Sequence, residues 1–184
     1  MKLSLVGLVL GFLVSFAQLI GPSSRQGFNV VNQNDSDLEV SLTADKHSYK
    51  RSDGIKLEVT LTNRNPVTDL FVYGTLQFGP RASFTLFRRD AKGMEVPTRF
   101  IDDAWELPPK DNDRSAFVKL LPFHFLGTTY SSSIHLLNLE RPGKYTMWVE
   151  YHCPISSETV EVKPFWGREN GTIKSRVIEI EVQP

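Results

Sequence analysis

The chain has 184 residues, of which 21 are basic and 21 acidic, with four histidines and one cysteine. Balanced, interspersed charge lacks the basic stripe by which nucleic-acid and anionic-membrane binders hold phosphate, so both partners are set aside. The lone Cys153 allows no internal disulfide, and the fold must stand on packing; at this length about two-thirds of the unfolded surface can be buried, enough for one core.

Lys2 precedes an uncharged apolar run from Leu3 to Val14, and Ser15-Phe16-Ala17 places small residues at the two positions a signal peptidase reads. Residues 1–17 are therefore expected to be a signal peptide, with Gln18 as the new N-terminus and export of the remainder. An uncleaved signal anchor is the alternative, because the uncharged stretch reaches Ser24 and about 20 mainly apolar residues span a bilayer. Cleavage removes Lys2 and no acid, leaving 20 basic against 21 acidic residues. No membrane contact beyond this segment is expected.

After a polar lead over residues 18–37, the apolar pattern has period two, and no stretch reads as an amphipathic helix. Ile55-Lys56-Leu57-Glu58-Val59-Thr60-Leu61-Thr62 is the clearest case, with four aliphatics on one face and Lys, Glu and two Thr on the other. Residues 38–44 and 176–182 repeat the alternation and read as the first and last strands. Between them, residues 70–73, 83–89, 115–121, 131–138 and 144–152 are further expected strands. Turn chemistry separates them at Ser52-Asp53-Gly54, Asn63-Arg64-Asn65-Pro66, Asp90-Ala91-Lys92-Gly93 and Arg141-Pro142-Gly143. Seven to nine short strands with turns between them predict an all-β fold: a single immunoglobulin-like antiparallel β-sandwich over residues 38–184. Its core is expected to hold Ile55, Leu57, Val59, Leu61, Tyr145, Met147 and Val149. Two stretches interrupt the rhythm, residues 102–114 and 153–174, and long excursions of this kind are functional loops or flexible insertions.

Residues 49–63, from Tyr49 through the turn and alternating strand to Asn63, resemble the opening of immunoglobulin-like modules in macroglobulins and in a bacterial proteinase-inhibitor family. Leu139-Glu140-Arg141-Pro142-Gly143-Lys144-Tyr145 resembles the Leu-x-x-Pro-Gly-x-Tyr corner of such modules. The resemblance implies the fold; its motifs are structural ones shared by many functions. The inter-sheet cysteine pair of antibody domains and the macroglobulin thioester motif are both missing. At the corner, the Tyr145 hydroxyl either returns a hydrogen bond to nearby backbone, as in a tyrosine corner, or is an ordinary core tyrosine.

Strand parity puts Trp148 on the outer face if Tyr145, Met147 and Val149 face the core. There it is either an aromatic anchor for a protein or carbohydrate partner, or a side chain covered by a neighbouring element. Trp105, beside Asp102 and Asp103 and the stiff Pro108-Pro109 pair, is the competing anchor. The oxygens of Asp102, Asp103, Glu106, Asp111 and Asp113 could serve calcium, but the Gly-punctuated EF-hand loop is absent and a solvated acidic loop is the simpler reading. His152 and Cys153 are adjacent on a strand and point to opposite faces, so they form no dyad. The four His with Cys153 lack the short ligand spacing of zinc sites. No cofactor, metal site or catalytic residue is expected. The leading reading is thus a non-catalytic exported binding or interaction module, with Trp105, Trp148, Asp102 and Asp103 as binding candidates. A proteinase inhibitor acting through one loop, and a hydrolase or metal-dependent enzyme near residues 102–114, are the alternatives. Oligomeric state is not set by the sequence.

Overall fold

The computed structural model describes residues 30–31, 36–78, 83–96 and 114–184. The expected signal peptide and, from the acidic loop, residues 102–113 lie outside the described residues.

Period-two patterning becomes sheet register directly. In β2 (Leu38–Ala44) and β4 (Gly54–Asn63) every second side chain is buried, and the two pair antiparallel from Leu38↔Asn63 to Ala44↔Leu57. The far edge of β4 takes β8 (Phe125–Ser133) from Gly54↔Ser133 to Thr62↔Phe125. This three-stranded sheet packs its aliphatic face onto a second, larger sheet centred on β9 (Gly143–His152). One edge of β9 takes β6 (Phe84–Asp90), while β11 (Ile178–Val182) and β10 (Thr172–Lys174) share the other. Two short strands, β1 (Val30–Val31) and β3 (Ser48–Tyr49), join β10 and β11 in parallel, departing from the purely antiparallel expectation. A separate ladder pairs β5 (Leu70–Tyr73) with β7 (Phe117–Leu120). The molecule is an all-β sandwich, and Ile55, Leu57, Val59, Leu61, Tyr145, Met147 and Val149 are all buried between its layers.

Of the two readings of the corner before β9, the hydrogen-bonded one holds. Asn138 and Gly143 take positive φ of 58° and 145°, Leu139 is fully buried, and the Tyr145 hydroxyl donates to the Arg141 carbonyl at 2.7 Å. That bond braces the turn against the strand it launches.

Two expectations need correction. The strand predicted over residues 131–138 is the tail of β8, which begins at Phe125; residues 134–138 form a turn. The excursion over residues 153–174 packs into the fold, burying Ile155, Val160, Phe165 and Trp166. Its backbone clasps β5, with the Phe71 amide donating to Pro164 (2.8 Å) and the Trp166 amide to Phe71 (2.9 Å). Inside the excursion the Glu169 carboxylate accepts from the Ser156 hydroxyl and from the Ser157 amide at 2.9 Å. Those bonds, the hydroxyl first, hold its pKa down at about 2, so the clasp is fully charged at neutral pH.

Candidate functional site

Of the four residues singled out as binding candidates, Trp105, Asp102 and Asp103 lie outside the described residues. Trp148 does face away from the inter-sheet core, since its strand neighbours Met147 and Val149 belong to that core and it does not. Its ring is nonetheless only 5% exposed. Phe87 on β6 stacks on it with centroids 5.2 Å apart and planes 5° apart. Arg89 and Lys174 lie over it at 5.0 and 4.2 Å from the centroid, and its Nε1 donates to Glu150 at 3.2 Å. Reaching the ring would take displacement of two cations that it attracts through its π face. Here the neighbouring strands provide the cover.

His152 and Cys153 point apart, and burial raises the Cys153 thiol pKa to about 11. Such a thiol is protonated at neutral pH and is a poor nucleophile. Burial lowers the His152 pKa, with Glu150 opposing in part. Among the described residues no three His, Cys, Asp or Glu side chains converge as metal ligands would. Arg88 was missed by the sequence reading although parity with Phe84 and Leu86 predicts it: its side chain is inside the sandwich and fully buried. Burial lowers its pKa, while Tyr130 and Glu95 favour the charged form.

The feature most open to a partner is one that the sequence reading did not select. Residues 121–124 connect β7 to β8, and residues 64–69 connect β4 to β5; both loops hang on Asn63. The fully buried Asn63 side chain donates to the Thr68 and Leu120 carbonyls at 2.9 and 3.0 Å and accepts from the Asn65 amide at 3.0 Å. Its backbone donates to the His124 carbonyl (3.0 Å) and accepts from the Phe123 amide (2.9 Å), while the His124 amide returns to Leu121 (3.0 Å). Asn65 in turn accepts from the Val67 and Thr68 amides. These bonds fix an apolar tip on which Phe123 is 62% exposed, Phe125 64% and Val67 82%, with Leu121 also exposed. Phe123 holds φ at 62°, a left-handed conformation that costs a side-chain-bearing residue roughly 1–2 kcal/mol. The nearby charges are spent within the molecule, in the pairs Arg64–Glu39 and Lys119–Asp69. A sequence signal existed: once Leu120 faces inward, parity sends Leu121 out, and Pro122 ends the strand before two further aromatics.

No family model and no curated protein matches the chain. Solved structures give distant likenesses. The sporulation control protein Spo0M of Bacillus subtilis is 8% identical with a TM-score of 0.41, covering 81% of this chain and 50% of its own. The CARDB domain of the PF1109 protein from Pyrococcus furiosus, in complex with di-metal ions, is 12% identical at 0.35, covering 79% and 87%. A β-glucosidase from Listeria innocua is 15% identical at 0.34, covering 80% and 16%. The chain thus spans half the length of Spo0M. With scores this low, the assignment of a sandwich rests on the strand register itself.

Proposed function

We propose that the chain is an exported, non-catalytic interaction module that meets a protein partner through the apolar tip built on Asn63. The observation that carries this reading is Phe123: a large apolar side chain, mostly exposed, on a strained backbone that the surrounding hydrogen bonds over-determine. Strain of that kind persists where the fold maintains it for a use. The protonated Cys153 thiol and the divergent His152 support a non-catalytic role.

The inhibitor reading gains one point from the rigidity of this tip. It loses another, because a peptide that pairs with a sheet edge or cleft is extended, and Phe123 is left-handed. Inhibition through residues 121–125 would block a cleft without mimicking its substrate.

Phe123→Gly separates use from stability. Glycine accepts the left-handed backbone, so the variant should unfold at the same temperature as the parent or higher, a gain of about 0.5–1 kcal/mol. Capture of the partner by the immobilised chain, from the fluid into which it is exported, should fall at least about tenfold, the loss expected of a truncated anchor. A variant that is stabilised and captures as the parent does contradicts the reading; a destabilised one makes Phe123 a structural residue.

A further inference from the structure

We infer that the partner of this surface is a second copy of the chain, joined strand to strand along β8 about a two-fold axis near Thr129. The inference rests on reading the tip as a contact surface and adds the identity of what it contacts. β8 ends its sheet, pairing among the described residues with β4 alone. Nine consecutive pairs join the two strands with no bulge to twist the edge. The sequence Phe-Leu-Gly-Thr-Thr-Tyr-Ser-Ser-Ser holds neither a charge nor a proline. Bulges, charges and prolines are the devices by which proteins keep an open edge from adding a strand. A nine-residue edge, about 30 Å long, that uses none of them is a template for pairing.

Two features point to a copy of the chain as the added strand. Antiparallel pairing about a two-fold sets the residue at the axis against its own counterpart, where like charges would repel. Thr129, exposed at the middle of β8, brings none. With the axis there, Phe125 falls opposite Ser133 of the second copy, and the tip carrying Leu121 and Phe123 comes alongside that copy's turn at residues 134–138. Leu136 on this turn is 57% exposed. Exposed apolar side chains at the two ends of one strand therefore cover each other in the self-pair, whereas an unrelated strand covers one end at most. A bilayer fits the tip less well. The cations beside it that would meet anionic headgroups, Arg64 and Lys119, are already paired within the molecule.

The test uses the full chain with one added cysteine. Directly opposed residues of an antiparallel pair have Cα atoms roughly 4.5–5.5 Å apart, within disulfide range. Thr129→Cys should therefore give mostly disulfide-linked dimer under mild oxidation, while the buried Cys153 stays out of the reaction. Thr43→Cys, exposed on β2 at the opposite edge of the sheet, should remain single. Sedimentation equilibrium of the unmodified parent should give the mass of two copies, and Thr129→Lys should return it to one with its circular dichroism unchanged. Ser131→Lys, also exposed on β8, repeats the comparison should Thr129→Lys fold poorly. A single-copy mass for the parent overturns the inference and leaves the contact reading to the capture experiment with Phe123→Gly. A dimer that survives the lysine variants, or cross-links as readily at 43 as at 129, overturns it as well.

Discussion

Replacing Asn63 by Ala should cost on the order of 3 kcal/mol or more, a large part of the roughly 5–15 kcal/mol that holds a domain folded. Its side chain makes three hydrogen bonds, two to the backbone of the 64–69 loop and one to that of β7. Truncation leaves the Thr68 and Leu120 carbonyls and the Asn65 amide without that partner, and Leu120 is buried. Buried groups left this way cost about 1–3 kcal/mol each. Asn63→Asp is the instructive companion. It keeps the acceptor for Asn65 but turns a carboxylate toward two carbonyl oxygens, so it should be no better than Ala. The check is the urea midpoint at constant slope. A shift worth less than about 1 kcal/mol for both variants, within the range of an ordinary surface change, would mean that the 64–69 loop is held to β7 by something else.

Gly167→Ala should be the second costly change. A Cβ built on Gly167 would lie 2.5 Å from the Ser157 amide nitrogen, 2.6 Å from a Glu169 carboxylate oxygen and 2.7 Å from the Ser157 Cβ. Two of these neighbours belong to Ser157 itself, so relief requires the backbone to move, not merely a flexible side-chain end. That movement separates Glu169 from the Ser157 amide it accepts. Overpacking of this kind costs about 1–3 kcal/mol, and the lost carboxylate bonds add to it. Gly54→Ala is the control, because the nearest atom to its Cβ is the Ser132 carbonyl oxygen at an ordinary 3.5 Å. It should change stability by less than about 1 kcal/mol, in either direction. Equal midpoints for the two alanine variants would contradict the packed account of residues 153–174.

What could be read from the sequence follows from where each strand lies. β2 and β4 are buried on one face and wet on the other, so their side chains alternate and their faces are fixed by parity alone. β9 was legible for the same reason, and its Pro142-Gly143 turn with Tyr145 marked the corner. β8 was legible only at its tail. Leu126 and Tyr130 supply its inward face, while Gly127, Thr129 and Ser131 on the other face look like turn residues, so composition hides the strand. The packing of residues 153–174 was hidden too, because Ile155, Val160, Phe165 and Trp166 follow neither helical nor strand period. They reach the core through turns and a clasp on β5, contacts distant in sequence. For the candidate site, parity placed Trp148 on the correct face. Its cover, from Phe87, Arg89 and Lys174 on neighbouring strands, depends on sheet order, which periodicity does not encode. The Asn63 tip was missed because its organiser reads as the end of a strand, and Phe123 and Phe125 fall between the strands expected over residues 115–121 and 131–138.

Amide hydrogen exchange of Phe123 and His124 tests most directly the claim that the tip is a rigid presented surface. Both side chains are exposed, yet their amides donate to Asn63 and Leu121 inside the turn. The account predicts that both amides exchange slowly, alongside those of β4 and far below the rate of an open loop. Exchange at the rate of an unstructured peptide would mean that the turn opens freely, and a presented Phe123 would no longer describe this molecule.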